Sequence, residues 1–195
     1  MNKTKHTILK LALILFIFAA SIPVSASQEA SIEQIKEYIV KCAVEMGVEP
    51  EIALAIAKKE SGFNQNKRSP AGAIGVFQLM PSTARRMGYN PYNYRDNIKG
   101  GITYYKNMRK MFNSDSLAFA AYNAGPGNVK KFGGIPPFAE TKKFVAICTQ
   151  YYNTYKNSPD TNVSRYLATY KDNKTQIAEK EKKEVITLYL LNQAI

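Results

Sequence analysis

One carboxylate in this chain stands where it could move protons. Glu60 ends the apolar segment Ala53-Leu-Ala-Ile-Ala-Lys-Lys-Glu60. Behind it come Ser61, Gly62 and a stretch of small and polar residues, Ser69-Pro-Ala-Gly-Ala-Ile-Gly75-Val-Phe-Gln78-Leu-Met80-Pro81. A glutamate at the C-terminal end of a helix faces the negative end of the helix dipole. The apolar face behind it removes water from the carboxyl group. Both effects disfavour the charged form and raise the pKa. A carboxylic acid that keeps its proton near neutral pH can deliver it to a glycosidic oxygen. Taken by itself, a helical glutamate is ordinarily a solvated surface group. The blocks that surround Glu60 set it apart.

The other chemistry-bearing side chains narrow the choice. The single histidine is His6 and the only cysteines are Cys42 and Cys148. From residue 27 onward there is no histidine, which excludes a Ser-His-Asp triad, a Cys-His pair and a histidine-bearing zinc site. No metal and no cofactor is expected. The two cysteines form one disulfide or serve as small buried apolar groups on two helices. Glycosidases usually need two carboxylates at a set separation. Here only Glu60 lies in a block of this character, while Asp96 and Asp115 precede apolar-periodic runs as helix caps do.

The elements that must position Glu60 follow from periodicity. Residues 1–26 read as a secretory leader: Lys3, Lys5 and Lys10, an apolar core over residues 11–20, and the cleavage pattern Val24-Ser25-Ala26. That segment holds three of the 27 basic residues and none of the 15 acidic ones, so the chain from residue 27 carries a net +9. Such a charge favours anionic surfaces. Ser31-Ile-Glu-Gln34 resembles a capping box, with Ile35, Ile39, Ala43 and Met46 at helical spacing and Gly47 as a stop. Pro50 opens the next helix, which ends at Glu60. Residues 62–80 form a shaped loop, and a short helix runs from Pro81 to Gly88. Asp96 or Asn97 caps a longer helix through Phe112, and Asp115 begins another that stops at Asn123 to Gly127. Residues 139–155 form the last strong helix. The tail, 158–195, is charged, with an apolar end at Val185 to Leu191; it either forms a helix from about residue 174 or stays a disordered, solvated end. This predicts a mostly α, compact domain with a groove and little or no β-sheet, spanning residues 27–157.

Four blocks in order resemble the family 1, soluble-type lytic transglycosylases, whose catalytic domain is of the goose-type lysozyme-like α+β superfamily. Glu60-Ser61 is similar to that family's catalytic pair. Gly75-Val-Phe-Gln78 with Met80-Pro81 is similar to its Gly-Leu-Met-Gln block, departing at Val76 and Phe77. Ala121-Tyr122-Asn123-Ala124-Gly125 matches a third block and Glu140-Thr141 a fourth. The resemblance covers roughly residues 40–155. It implies cleavage of the β-1,4 bond between N-acetylmuramic acid and N-acetylglucosamine in peptidoglycan, leaving a 1,6-anhydro end. Glu60 would act as acid and then base. Ser69 would bind the N-acetyl group or hold the surroundings of Glu60, and Gln78 and Met80 would line the groove. Tyr122 would steady the oxocarbenium-like centre or Glu60, with Asn123 and Glu140 shaping the wall and Tyr151 reaching the groove. One carboxylate suffices if the substrate supplies its own N-acetyl oxygen and hydroxyl.

The expected partner is the peptidoglycan glycan strand, at an exported location in the periplasm or the cell wall. A secretion or conjugation complex is a further expected partner, docked through the tail. Nucleic acid is not, since the basic residues form no continuous stripe. Two other functions stay open at this level: a hydrolytic muramidase, and a non-catalytic wall-binding assembly protein. With tryptophan absent, any sugar stacking falls to tyrosine or phenylalanine. Tyr89, Tyr92 and Tyr94 either do this or cover the core.

Overall fold

A computed structural model describes residues 30–193. The expected leader and its cleavage site lie outside the described residues. Among the described residues of the unit that begins at Ser31 there are eight helices: α1 (Ile32–Glu45), α2 (Pro50–Ser61), α3 (Pro81–Arg86), α4 (Tyr94–Phe112), α5 (Asp115–Ala124), α6 (Pro126–Phe132), α7 (Ala139–Asn157) and α8 (Thr161–Gln193). Among the described residues β pairing is limited to two isolated bridges, Arg68 with Ile74 and Ile74 with Leu79. The mostly helical fold is as expected.

The capping box at Ser31 is formed: the Ser31 hydroxyl accepts from the Gln34 N–H, and the Gln34 side chain accepts from the Ser31 N–H. It starts α1, which buries Ile35, Ile39, Val40, Cys42 and Ala43. The helix that carries Glu60 is buried more completely. Ile52 to Ala57 are six consecutive buried residues, and a helix apolar all round belongs inside the core. Ala53, Ala55 and Ala57 leave room for α1 and α7 to pack close against it. Burying Leu54 and Ile56, both without exposed surface, contributes about 1.5–3 kcal/mol each. Gly62 ends the helix with φ +66°, its N–H bonded to the Lys58 carbonyl, so the chain turns away directly after Glu60 and Ser61. The second buried helix is α5, which packs on α4, α6 and α7 and buries Ala118 to Tyr122.

Several boundaries differ from expectation. Asn93 caps α4, accepting from the N–H groups of Arg95 and Asp96. The Asp96 carboxylate accepts instead from the Asn90 N–H, and Asn97 is fully buried. Ser114, one residue before Asp115, caps α5. That leaves the Asp115 carboxylate to accept from the Tyr105 hydroxyl at 2.7 Å and to pair with Arg109 at 2.6 Å. In the tail, helix α8 starts at Thr161, well before residue 174. Its first turn is anchored, since Asn162 and Val163 are buried and Asp160 pairs with Lys36 of α1 at 2.7 Å. Packing thus continues past residue 157. Cys42 and Cys148 are both buried free thiols, the second of the two readings given above.

One close approach fixes the loop between α2 and α3 onto α4. A Cβ built at Gly101 would lie 2.2 Å from the Phe77 ring, far inside contact distance. The Phe77 side chain therefore seats on α4 only because residue 101 is glycine.

Candidate active site

The ends of α2 and α5, the start of α7 and the loop 62–80 surround a cleft of about 380 Å3. Seven of the eight residues singled out in the sequence line it: Glu60, Ser69, Gln78, Met80, Tyr122, Asn123 and Glu140. Tyr151 is not among the lining residues, and its ring lies 4.8 Å from the Lys58 ammonium. Tyr89, Tyr92 and Tyr94 do not line the cleft either. Tyr89 bonds Thr103, Tyr92 sits beside Arg68, and Tyr94 meets the edge of Tyr38. The aromatic faces in the cleft are Tyr122 and Tyr104.

Glu60 is the carboxyl in the cleft whose environment raises its pKa. It is partly buried in the last turn of α2, and desolvation there pushes its carboxyl up to about 7, from an ordinary 4.5. The nearby ammonium groups of Lys59 and Lys67 oppose that rise and Glu140 adds to it. Lys67 spends its hydrogen bond on the Glu60 main-chain carbonyl, and Lys59 lies 5.2 Å over the Phe144 ring. Neither ammonium forms an ion pair with the carboxylate. Desolvation therefore wins over attraction, and the acid stays protonated close to neutral pH. Tyr122 and Cys148 are the buried groups that feel its charge.

The loop opposite Glu60 is held by four side chains. The Ser61 hydroxyl donates to the Val76 carbonyl at 2.8 Å and accepts from the Asn64 N–H. Gln65 accepts from the Val76 N–H and donates to the Pro91 and Tyr92 carbonyls. Asn97 accepts from the Phe77 N–H at 2.8 Å and donates to the Ile74 and Pro91 carbonyls at 2.7 and 3.1 Å. Tyr122 donates its hydroxyl proton to the Phe77 carbonyl at 2.8 Å. These bonds satisfy loop backbone that would otherwise be buried without partners. The Tyr122 proton is committed to the loop, so the residue ties α5 to it and presents its ring, packed against Phe144 and edge-on to Tyr104, as wall.

The remaining residues have defined places. Ser69 closes a tight turn, accepting from the Ala73 N–H at 2.9 Å. Gln78 sits at φ +46°, a left-handed conformation uncommon for a residue with a side chain. Its amide donates to the Gly75 and Lys67 carbonyls, which leaves the amide oxygen to accept from a ligand. Met80, 41% exposed, stands at the rim. Thr141 donates to Asn123 at 2.7 Å, and Asn123 donates to Glu140 at 3.3 Å. Sequence reasoning missed Tyr104 and Thr83 as lining residues, and Gln65 and Asn97 as loop anchors. For Asn97 a signal existed. It shares a helical stripe with Gly101, Tyr105 and Met108, and a polar residue on an apolar stripe marks a buried hydrogen-bonding post. Among the described residues no cluster of His, Cys, Asp and Glu could hold a metal ion.

Comparison with known proteins converges on one group. Residues 37–145 match the family model described as "Transglycosylase SLT domain". The chain is 32% identical over 130 residues to a soluble lytic murein transglycosylase of Salmonella typhimurium, covering 54% of this chain and 20% of that protein. The crystal structure of the 70 kDa soluble lytic transglycosylase SLT70 of Escherichia coli superposes with a TM-score of 0.58 at 28% identity, covering 65% of this chain and 25% of that one. An inactive mutant of the lytic transglycosylase Slt from Pseudomonas aeruginosa gives 0.55 at 31% identity, covering 64% and 25%. The chain therefore spans about a fifth to a quarter of the length of these relatives.

Proposed function

The chain belongs to the transglycosylase SLT domain family, and from that premise we propose that it is a peptidoglycan lytic transglycosylase. The observation that carries this reading is Glu60, a partly buried acid that lines the cleft beside Gln78, Tyr122 and Asn123 and that desolvation pushes up to about 7. The proton on Glu60 passes to the glycosidic oxygen as the bond to C1 of N-acetylmuramic acid breaks. The substrate's N-acetyl oxygen holds C1 in the interval. The carboxylate then takes the proton from the muramyl O6 hydroxyl as that oxygen attacks C1, closing the 1,6-anhydro ring. No water is consumed, and Glu60 returns to its starting form. Relatives named for murein transglycosylase activity support the substrate class. In the remaining wall, Asn123 orients against Thr141, the Gln78 amide oxygen accepts from a sugar hydroxyl or amide, and the Tyr104 and Tyr122 rings give the sugars apolar faces.

A hydrolytic muramidase is the second reading, and Glu140 favours it, because a second carboxylate does line the cleft. Glu140 is exposed and bonded by Asn123; in the transglycosylase reading it shapes the wall and takes no proton. Glu140→Gln, which still accepts from Asn123, is expected to keep cleaving purified wall with 1,6-anhydromuramyl ends by mass spectrometry. Loss of cleavage in this variant, or reducing ends from the unaltered protein, would establish the hydrolytic reading.

The protein works outside the cytoplasmic membrane in this proposal, on the strength of the leader-like residues 1–26. No helix among the described residues is long and apolar enough to cross a membrane. The tail serves as a docking element for a secretion or conjugation machine. Exposed Ile177, Val185 and Ile186 on α8 support this role. Ending the chain after Tyr170 spares the anchored first turns of α8. The shortened protein is expected to cleave wall normally while secretion or conjugation falls; unchanged transfer would remove the docking role.

A further inference from the structure

Phe132 ends α6, and six residues, Gly133-Gly134-Ile135-Pro136-Pro137-Phe138, lead into α7. Within these seven positions three large apolar side chains face water: Phe132 at 44%, Ile135 at 39% and Phe138 at 41% exposure. The two rings meet edge-on at 5.6 Å, so they form one patch. Pro136 is buried and roots the loop. Two lysine pairs flank it, Lys130 and Lys131 on the last turn of α6 and Lys142 and Lys143 near the start of α7, all four exposed. The one acid between residues 125 and 143 is Glu140, which is engaged by Asn123.

From this arrangement we infer that the 132–138 loop is a membrane-docking surface for anionic lipid. The apolar tips and the flanking cations call for a partner that offers both an apolar phase and negative charge at its boundary. A bilayer with anionic headgroups does so: apolar side chains enter the headgroup–acyl boundary while lysines stay with the phosphates. A teichoic-type polyanion supplies no apolar phase, and a glycan strand offers sugar faces to the two rings but no apolar phase for Ile135 to enter. The loop also adjoins the cleft through Glu140. Where the proposed wall cleavage holds, docking would direct cuts to strands lying nearest the bilayer. The lipid contact itself does not depend on that activity.

The chain contains no tryptophan, so Phe132→Trp places a lone reporter in the patch and Tyr92→Trp places one elsewhere. The full chain is mixed with vesicles of phosphatidylcholine plus phosphatidylglycerol, or phosphatidylcholine alone. The F132W emission is expected to shift to the blue on the anionic vesicles and to be quenched by lipids brominated in the acyl chain, with Y92W unchanged. Replacing Lys130, Lys131, Lys142 and Lys143 by glutamine is expected to weaken binding by roughly tenfold or more. If the F132W emission stays that of a hydrated indole on anionic vesicles, the inference is overturned, even if the chain sediments with them through residues 1–26. A shift with isolated glycan strands and none with vesicles overturns it equally, by marking the loop as a carbohydrate surface.

Discussion

Glu60→Gln is expected to lower wall cleavage by about 10²–10⁴-fold, the usual contribution of a positioned general acid–base group. Binding of glycan strands should survive, because the amide keeps the shape of the side chain. The same substitution is expected to stabilise the fold in alkaline solution. Folding raises the Glu60 pKa from 4.5 to about 7, so the folded chain holds this proton more tightly than the unfolded one. Below pH 4.5 the group is protonated in both states and costs nothing. Between pH 4.5 and 7 stability falls as pH rises, and above 7 the whole penalty of a buried charge is present. Glutamine is neutral throughout. Urea unfolding at pH 4 should give equal stabilities, while at pH 8 the variant should be more stable by up to about 3 kcal/mol. Equal stabilities at both pH values would mean that Glu60 is not desolvated.

Asn97→Ala is expected to be the most damaging change outside the cleft. It removes three hydrogen bonds to loop backbone and leaves a void where an asparagine with no exposed surface had been. The Phe77 N–H loses its acceptor, while the Ile74 carbonyl keeps the Leu79 N–H and the Pro91 carbonyl keeps Gln65. A buried donor without a partner and the cavity together should cost roughly 3–4 kcal/mol. Asn97→Asp keeps the volume but turns the two donor contacts into a carboxylate facing carbonyl oxygens, and should cost more. Gln78, the residue after Phe77, lines the cleft with Glu60, and a displacement of about 1 Å there can lower turnover by about 10²-fold. Urea denaturation and cleavage assays at a temperature where the variant is still folded separate the two effects. An Asn97→Ala protein of normal stability and activity would show that the loop does not need its post on α4.

How far the sequence carried depended on the kind of signal. Helices with a strong period and a stop signal, α1 through Gly47 and α2 through Gly62, were legible, and so was the placement of Glu60 at the end of a helix with a buried apolar stretch. The α4 boundary was misread because Asn93, Asp96 and Asn97 are all cap-type residues. Only tertiary contact decides that one caps, one braces Asn90 and one is buried. Helix α6 went unnoticed because Gly125, Pro126 and Gly127 read as loop, although Pro at a first helical position is tolerated. The early start of α8 rests on Val163 and Asp160 meeting α1, a long-range contact that no local pattern reveals. In the cleft, the blocks around Glu60 pointed to seven lining residues because those residues sit in short, ordered segments. Tyr151 stood apart. It shares α7 with Glu140, but the helix presents it to Lys58. Tyr122 was legible as a site residue, and its bond to Phe77 was not, since it crosses 45 positions of sequence.

The central claim is that Glu60 is an acid whose proton is held by desolvation at the cleft. Carbon-13 NMR of the glutamate side-chain carboxyls, with Glu60 assigned by its absence from the Glu60→Gln spectrum, tests it directly. A titration midpoint near pH 7 for that resonance, with cleavage declining as pH rises through the same range, is the predicted result. A midpoint near 4.5 would describe a hydrated, ordinary carboxylate and would contradict the account.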